Sequence, residues 1–277
     1  MKKVPIVWND RYCTQASGTL LSTHKARRVV ALARELLDIR TDDTYDREAI
    51  IADVCRTHDP TYVRAVVTGT PRHLAESQGF RWSPKFADSV LRIWSGHIAA
   101  CRLALDEGLV LHPVSGSHHA HYHRGGGFCT WAFLVGAGRR LLDDGLVSRV
   151  AVVDLDAHFG DGTFALTKTD DRFSRFDVQA HDRYSYFEGL ATLPAWLKLA
   201  RPGLVEYQAG CDVHEDDPIG GVPGMNADAI RERDAFVLDA LRRIPTVTNF
   251  AGGYIPNVTE QLHLATIEEM RKCVASG

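Results

Sequence analysis

Residues 151–163 read Ala-Val-Val-Asp-Leu-Asp-Ala-His-Phe-Gly-Asp-Gly-Thr, an apolar run that opens into acids and a histidine at alternate positions. The run is rich in β-branched residues and of the kind that forms a strand buried on both faces. In extended backbone successive side chains point to opposite faces, so Asp154, Asp156 and His158 share one face while Leu155 and Ala157 share the other. Two carboxylates and an imidazole converging after a buried strand must be paired, protonated or bound to a cation, because uncompensated charge is expensive to bury. A single Asp after a strand is usually solvated. The pattern D-x-D-x-H followed by Gly-Asp-Gly reads instead as a metal site.

Three other polar groups follow predicted strands. His118-His119 comes after Leu109–Leu111, Asp212 after Leu204–Ala209, and Gly252-Gly-Tyr254 after Thr246–Phe250. Each alone has a plain reading: surface histidines, a solvated charge run with Glu215, Asp216 and Asp217, and a turn with a packed aromatic. Their joint occurrence at strand ends is what suggests a site. Zinc takes nitrogen and oxygen ligands, with three protein groups plus water in catalytic centres. Asp156, His158 and Asp212 supply such a set, and zinc would bring water's pKa toward neutrality. His118 and His119 are candidate bases, Tyr254 a candidate oxyanion donor, and Asp154 and Asp161 candidate partners for the two histidines.

The elements that must position these residues follow from periodicity. Val4 to Trp8 predicts a first strand, and apolar residues at helical spacing predict a helix from Ser22 to Asp38. A short helix is expected over 46–55. Asp59-Pro60 is a helix start, and 68–82 reads as a surface loop. Ser83-Pro84 opens a long helix that stops near Gly108, with His97 on its apolar stripe as a hydrogen-bonded core histidine rather than a ligand. Thr130 to Leu142 and Ala227 to Arg243 are further helices. Strands are expected from Arg149 and over 175–180, and Asn257 and Glu260 are placed to cap a last helix. Strands alternating with helices imply a mostly parallel sheet covered on both faces, whose ligands bind beyond the carboxyl ends of the strands.

The 277 residues suffice for one large α/β domain, 1–277, and show no repeat or linker. A net charge of -3 gives no reason to expect nucleic acid or an anionic membrane as partner. No apolar stretch approaches a membrane span or a signal peptide, so the chain reads as cytoplasmic. Six cysteines without a C-x-x-C pattern suggest neither a disulfide framework nor a zinc ribbon.

The set Gly116-Ser-His-His-Ala120, Gly127-Phe-Cys129, Asp154-Leu-Asp-Ala-His-Phe-Gly-Asp-Gly-Thr163, Gly210-Cys-Asp212 with Asp217-Pro218, and Ala251-Gly-Gly-Tyr254 resembles the histone deacetylase family in order and spacing. His58-Asp-Pro-Thr-Tyr62 is similar to a motif near the family's N-terminus. Arg81-Trp-Ser-Pro84 and Asp217-Pro-Ile-Gly-Gly221 resemble its bacterial and class IV branch. The resemblance implies an arginase/deacetylase-like three-layer α/β fold with a central, mostly parallel sheet of about eight strands. It implies Zn2+ on Asp156, His158 and Asp212, and His119 as principal general base and acid, supported by Asp161. His118 would be held by Asp154, and Tyr254 would be the donor to the substrate carbonyl. Gly127 and Phe128 would line an acyl-lysine tunnel with Ile219 near its mouth. A K+ ion beneath the zinc loop would be held by Asp154 and by the backbone of the Asp156–His158 segment.

The implied reaction is hydrolysis of the amide of an acylated lysine in a protein or peptide. A small acylated amine such as an acetylpolyamine is the second substrate class, and a non-catalytic acyl-lysine reader is the rival that needs no metal. Three features depart from the family pattern. Thr130-Trp131-Ala132 replaces polar residues, Cys211 replaces Ala or Ser, and the segment from Phe173 to Phe187 matches too weakly for residues to be assigned. His121, His123 and His214 are alternative metal ligands by type, but read with greater weight as exposed loop histidines.

Overall fold

The computed structural model describes residues 2–14, 24–42 and 44–276. Seven strands form one sheet: β1 (Val4–Val7), β2 (Leu37–Arg40), β3 (Leu109–Leu111), β4 (Val150–Asp154), β5 (Phe173–Asp177), β6 (Leu204–Gln208) and β7 (Thr246–Asn249). The resemblance implied about eight; seven is the number among the described residues. Their order is β2-β1-β3-β7-β6-β4-β5, and every pairing is parallel. All carboxyl ends therefore lie along one edge of the sheet. Val153 is in register with both Tyr207 and Phe176, and every residue of β4 is buried, as its uninterrupted apolar character requires.

Two groups of helices sandwich this sheet. On one side α5 (Pro84–Glu107) packs on β1, β3, β6 and β7, with α2 (Arg47–Val54), α3 (Pro60–Thr68) and α6 (Phe133–Asp143) against it. On the other are α1 (Lys25–Leu32), α8 (Arg183–Leu190), α9 (Leu193–Ala200), α10 (Ala227–Leu241) and α11 (Val258–Ser276). Capping follows the sequence signals. The Asp59 side chain accepts from the N–H of Thr61 and Tyr62, and the Ser83 hydroxyl accepts from that of Phe86, each cap followed by Pro at the first helical position.

Several boundaries differ from expectation. Ser22 and Thr23, where the first helix was expected to begin, lie outside the described residues; α1 starts at Lys25 and stops at Leu32. Beyond a 3-10 turn at Arg34–Leu36 the chain becomes β2, because Leu37 and Ile39 alternate with Asp38 and Arg40 and pair with β1. The expected 68–82 loop contains α4 (Arg72–Ala75). The acids and glycines after β4 continue into α7 (Asp161–Thr167). Asn257 stands directly before α11, where a cap was expected, and it and Glu260 both meet Arg28 of α1, at 2.8 Å each.

Candidate active site

Strands β3, β7, β6 and β4 are consecutive in the sheet, so the four polar loops expected from sequence emerge side by side. An open cleft of about 520 Å³ at that edge is lined by His118, His119, Gly127, Phe128, Asp156, His158, Ile219 and Tyr254, with Ser115, Gly116, Cys129, Ala251 and Gly252. Asp154, Asp161 and Asp212 stand behind this lining, each against one of its members.

The densest part is the meeting of three side chains. His158 Nδ1 lies 3.1 Å from Asp156 Oδ1 and 3.0 Å from Asp212 Oδ2. One potential ligand atom from each of these residues falls within 4.8 Å of the others. Both carboxylates are buried and His158 is partly so. The remaining oxygens are fixed by backbone donors: Gly252 N–H to Asp156 Oδ2 at 2.8 Å and Ala157 N–H to Asp212 Oδ1 at 3.0 Å. A side chain at Gly252 would collide with the Asp212 carboxylate, so the close approach of this turn requires glycine.

The electrostatics of the cluster call for positive charge. Burial and the neighbouring Asp156 charge push the Asp212 carboxyl up to about 7, while hydrogen bonds to Asp156 and Asp212 push His158 up to about 11. Two buried acids that cannot both stay ionised unaided, converging on one imidazole, fit a divalent cation bound by oxygen and nitrogen.

Each member of the histidine pair has its own carboxylate. His118 Nδ1–H donates to Asp154 Oδ2 at 2.8 Å and His119 Nδ1–H to Asp161 Oδ1 at 2.6 Å, with the two rings 4.0 Å apart between centroids. Burial opposes charge on His118, but Asp154 and Asp156 outweigh it and raise the group to about 9. His119 moves the other way, lowered by burial and by the charge of His118. The two neighbouring imidazoles are thus shifted in opposite directions. Gly127 has φ +46, and a Cβ there would strike the His119 ring, so this glycine lets the cleft wall close on the histidine.

Tyr254 reaches the cleft through a turn held at several points. Its N–H donates to Asp217 Oδ2 at 2.8 Å, and the other oxygen of Asp217 accepts from the N–H groups of Ile219 and Gly220 at 3.0 and 3.1 Å. The Phe128 ring is 6.0 Å from that of Tyr254. Buried Lys25 of α1 donates to Ala251 O at the start of the turn. Behind the metal loops, buried Arg233 of α10 donates to Leu155 O and Gly210 O, tying the ends of β4 and β6 together.

Sequence reasoning missed four of these supports. In sequence Gly252 is part of a turn, Asp217 belongs to a charge run and a family motif without a stated role, and Lys25 and Arg233 carry no local signal. Two histidines also need correcting. His214 is buried, with Nδ1 accepting from the Asp216 N–H at 3.2 Å. His121 is partly buried, and its Nε2 lies 3.0 Å from Asp161 Oδ2. The Thr130-Trp131-Ala132 departure is accommodated by His58, whose Nε2 accepts from the Ala132 N–H at 3.0 Å and whose ring is 5.3 Å from that of Trp131. Cys211 faces His263, with Sγ 3.2 Å from Nδ1.

A parallel three-layer α/β fold with two acids and an imidazole gathered at its strand ends has the architecture of metal-dependent hydrolases. The model of the histone deacetylase domain matches residues 20–192. An uncharacterized protein of Picosynechococcus sp. (strain ATCC 27264 / PCC 7002 / PR-6) is 30% identical over 230 residues, 74% of this chain and 76% of that one. Histone deacetylase 2 of Arabidopsis thaliana is 31% identical over 186 residues, 58% of this chain and 48% of its own length. Among solved structures, acetylpolyamine aminohydrolase from Burkholderia pseudomallei superposes with a TM-score of 0.80 over 97% of this chain and 98% of its own, at 18% identity, a likeness of fold. The chain belongs to the histone deacetylase family and is a metal-dependent amidohydrolase. Among the described residues no helix is long and apolar enough to cross a membrane.

Proposed function

We propose that this chain is a zinc-dependent deacylase that hydrolyses the amide between an acyl group and a lysine side chain. The observation that carries the reading is the joint presence, around one cleft, of the Asp156–His158–Asp212 cluster, two histidine–aspartate pairs and Tyr254. Zinc held by Asp156, His158 and Asp212 would supply Lewis-acid polarisation of the scissile carbonyl and a lowered pKa for water. His119, the imidazole lowered by burial and by its neighbour, takes the proton from the attacking water and returns it to the leaving amine. Asp161 fixes its ring. His118, held by Asp154, helps to orient and polarise the water, and the Tyr254 hydroxyl donates to the oxygen on which negative charge develops.

Gly127 and Phe128 line the channel for the lysine stem, and Ile219, exposed beside His158, marks its mouth. Potassium fits beside the same loop through Asp154 and the backbone of the Asp156–His158 segment. The small pocket beside Asp154 is lined by Val152, Phe159, Gly160, Thr163, Arg175, Phe176 and Asp177, so its two acids share it with an arginine and it does not reach the Asp156–His158 backbone. Residues 1–277 are read as one catalytic domain working in the cytoplasm.

A small acylated amine is the second reading, since the same groups would serve it and the fold is shared with acetylpolyamine aminohydrolase. The test is a comparison of kcat/KM on acetyl-lysine peptides, longer acyl-lysine peptides and acetylpolyamines, with and without chelator. Chelator-sensitive turnover favouring acyl-lysine is expected. A preference for acetylpolyamines would replace the substrate, and no turnover on any of them with zinc loaded would overturn the enzyme reading.

A further inference from the structure

On the α5 face of the sheet lies a second cluster, apart from the cleft. His97 and Cys101, four residues apart and so side by side on α5, meet Glu206 of β6, and all three are fully buried. His97 Nε2 is 2.8 Å from Glu206 Oε2, and Cys101 Sγ is 3.2 Å from Glu206 Oε1. Both carboxylate oxygens thus turn inward, and one potential ligand atom from each residue lies within 4.8 Å of the others. The far nitrogen of His97 is also fixed, at 2.9 Å from His112 Nδ1.

As a hydrogen-bonded group alone the cluster is poorly resolved. Among the described residues the charge partner of Glu206 is His97, with no lysine or arginine ion pair. The hydrogen bonds of this buried carboxylate come, among the described residues, only from the His97 ring and the weakly donating Cys101 thiol. A position that needed only packing would be served as well by apolar side chains.

We propose that His97, Cys101 and Glu206 form a second, structural metal site for a thiophilic divalent cation of the zinc type. A thiolate and a carboxylate neutralise such an ion, and the imidazole enters uncharged. The three side chains each offer one donor atom, and the second Glu206 oxygen stands beside them to close the site against water. On binding, the Cys101 thiol loses its proton to solvent. His97 Nδ1–H then donates to His112 Nδ1, as the outer nitrogen of a ligating histidine does. The ion pins the long helix α5 to β6, the strand that leads to Asp212.

Cobalt(II) tests this directly, because the catalytic set Asp156, His158 and Asp212 contains no sulfur. The full chain is produced in zinc-depleted, cobalt-supplemented medium, since a fully buried site must load as the protein folds. The expected result is about two cobalt equivalents per chain and a thiolate-to-cobalt charge-transfer band in the near ultraviolet. Cys101→Ala should lose the band and one equivalent while retaining deacylase turnover. Should that variant fail to fold, Cys101→Ser preserves the packing and must also lose the band. Wild-type protein without a thiolate band, or a band that survives either substitution, would overturn the proposal.

Discussion

His119 Nδ1 lies 2.6 Å from one oxygen of Asp161, while the other oxygen of the same carboxylate is 3.0 Å from His121 Nε2. The acid that orients the proposed base is itself held from behind. Asp161→Ala should therefore lower kcat by about a hundredfold, at the lower end of what a positioned acid–base group contributes. Metal content and KM should change little. Steady-state kinetics with elemental analysis checks this, and kcat within twofold of wild type would remove Asp161 from the machinery.

Tyr254 makes its fixed hydrogen bond through the backbone, to Asp217, which leaves the phenol for substrate. Loss of one oxyanion donor costs about a hundredfold to a thousandfold in turnover. Tyr254→Phe should show that loss in kcat with full metal occupancy. Wild-type turnover on a defined acyl-lysine peptide would reassign the donor.

Asp156 accepts from Gly252 N–H while its second oxygen faces His158. Asp156→Ala should abolish turnover and lose the cation of the Asp156–His158–Asp212 cluster, one equivalent fewer than wild type by elemental analysis after dialysis. Stoichiometry equal to wild type would place the catalytic metal elsewhere.

At Gly252 an added methyl would meet the Asp212 carboxylate and stand 2.7 Å from Asp156 Oδ2. Crowding of this kind costs about 1–3 kcal/mol. Gly252→Ala should weaken metal binding by at least tenfold and lower the melting temperature. An unchanged affinity in a competition titration would show that the turn can yield.

His58 supplies a pH prediction away from the cleft. Burial holds its imidazole down at about 4 against an ordinary 6.5, with Nδ1–H donating to His121 O at 2.9 Å and Nε2 accepting from Ala132 N–H. The unfolded chain takes up this proton more readily than the folded one. Stability from this group is therefore intact above pH 6.5 and falls as pH drops from 6.5 to 4, by about 3 kcal/mol in full. His58→Gln should be less stable at pH 7 but lose less on acidification. Parallel pH–stability curves for the two proteins, by urea titration, would contradict this.

The candidate site groups are legible in the sequence because acids and histidines after apolar strands are chemically conspicuous. Asp154, Asp156 and His158 needed only the alternation of a strand to be placed on one face. Their supports were not legible, because they act through backbone groups far away in sequence. Arg233 reaches the ends of β4 and β6, and Asp217 reaches Tyr254, by contacts that exist only once the sheet is assembled. Strand β2 was masked for a different reason: its two apolar residues also fit the helical period of α1, and pairing with β1 decides between the periods. His97 reads as an ordinary core histidine and His58 only as the start of a family motif, since hydrogen-bond partners such as Glu206 and Ala132 are remote along the chain.

In the sheet, β7 and β6 lie between β3 and β4, although they are the last strands of the chain. During synthesis the segments bearing His118, His119, Asp156 and His158 emerge first and cannot take their final spacing until the two late strands slot between them. Asp212 and Tyr254 arrive on those same insertions. A nascent chain therefore holds only part of the cation trap, and the capacity to capture metal and cut an amide switches on together, at the closing step of assembly.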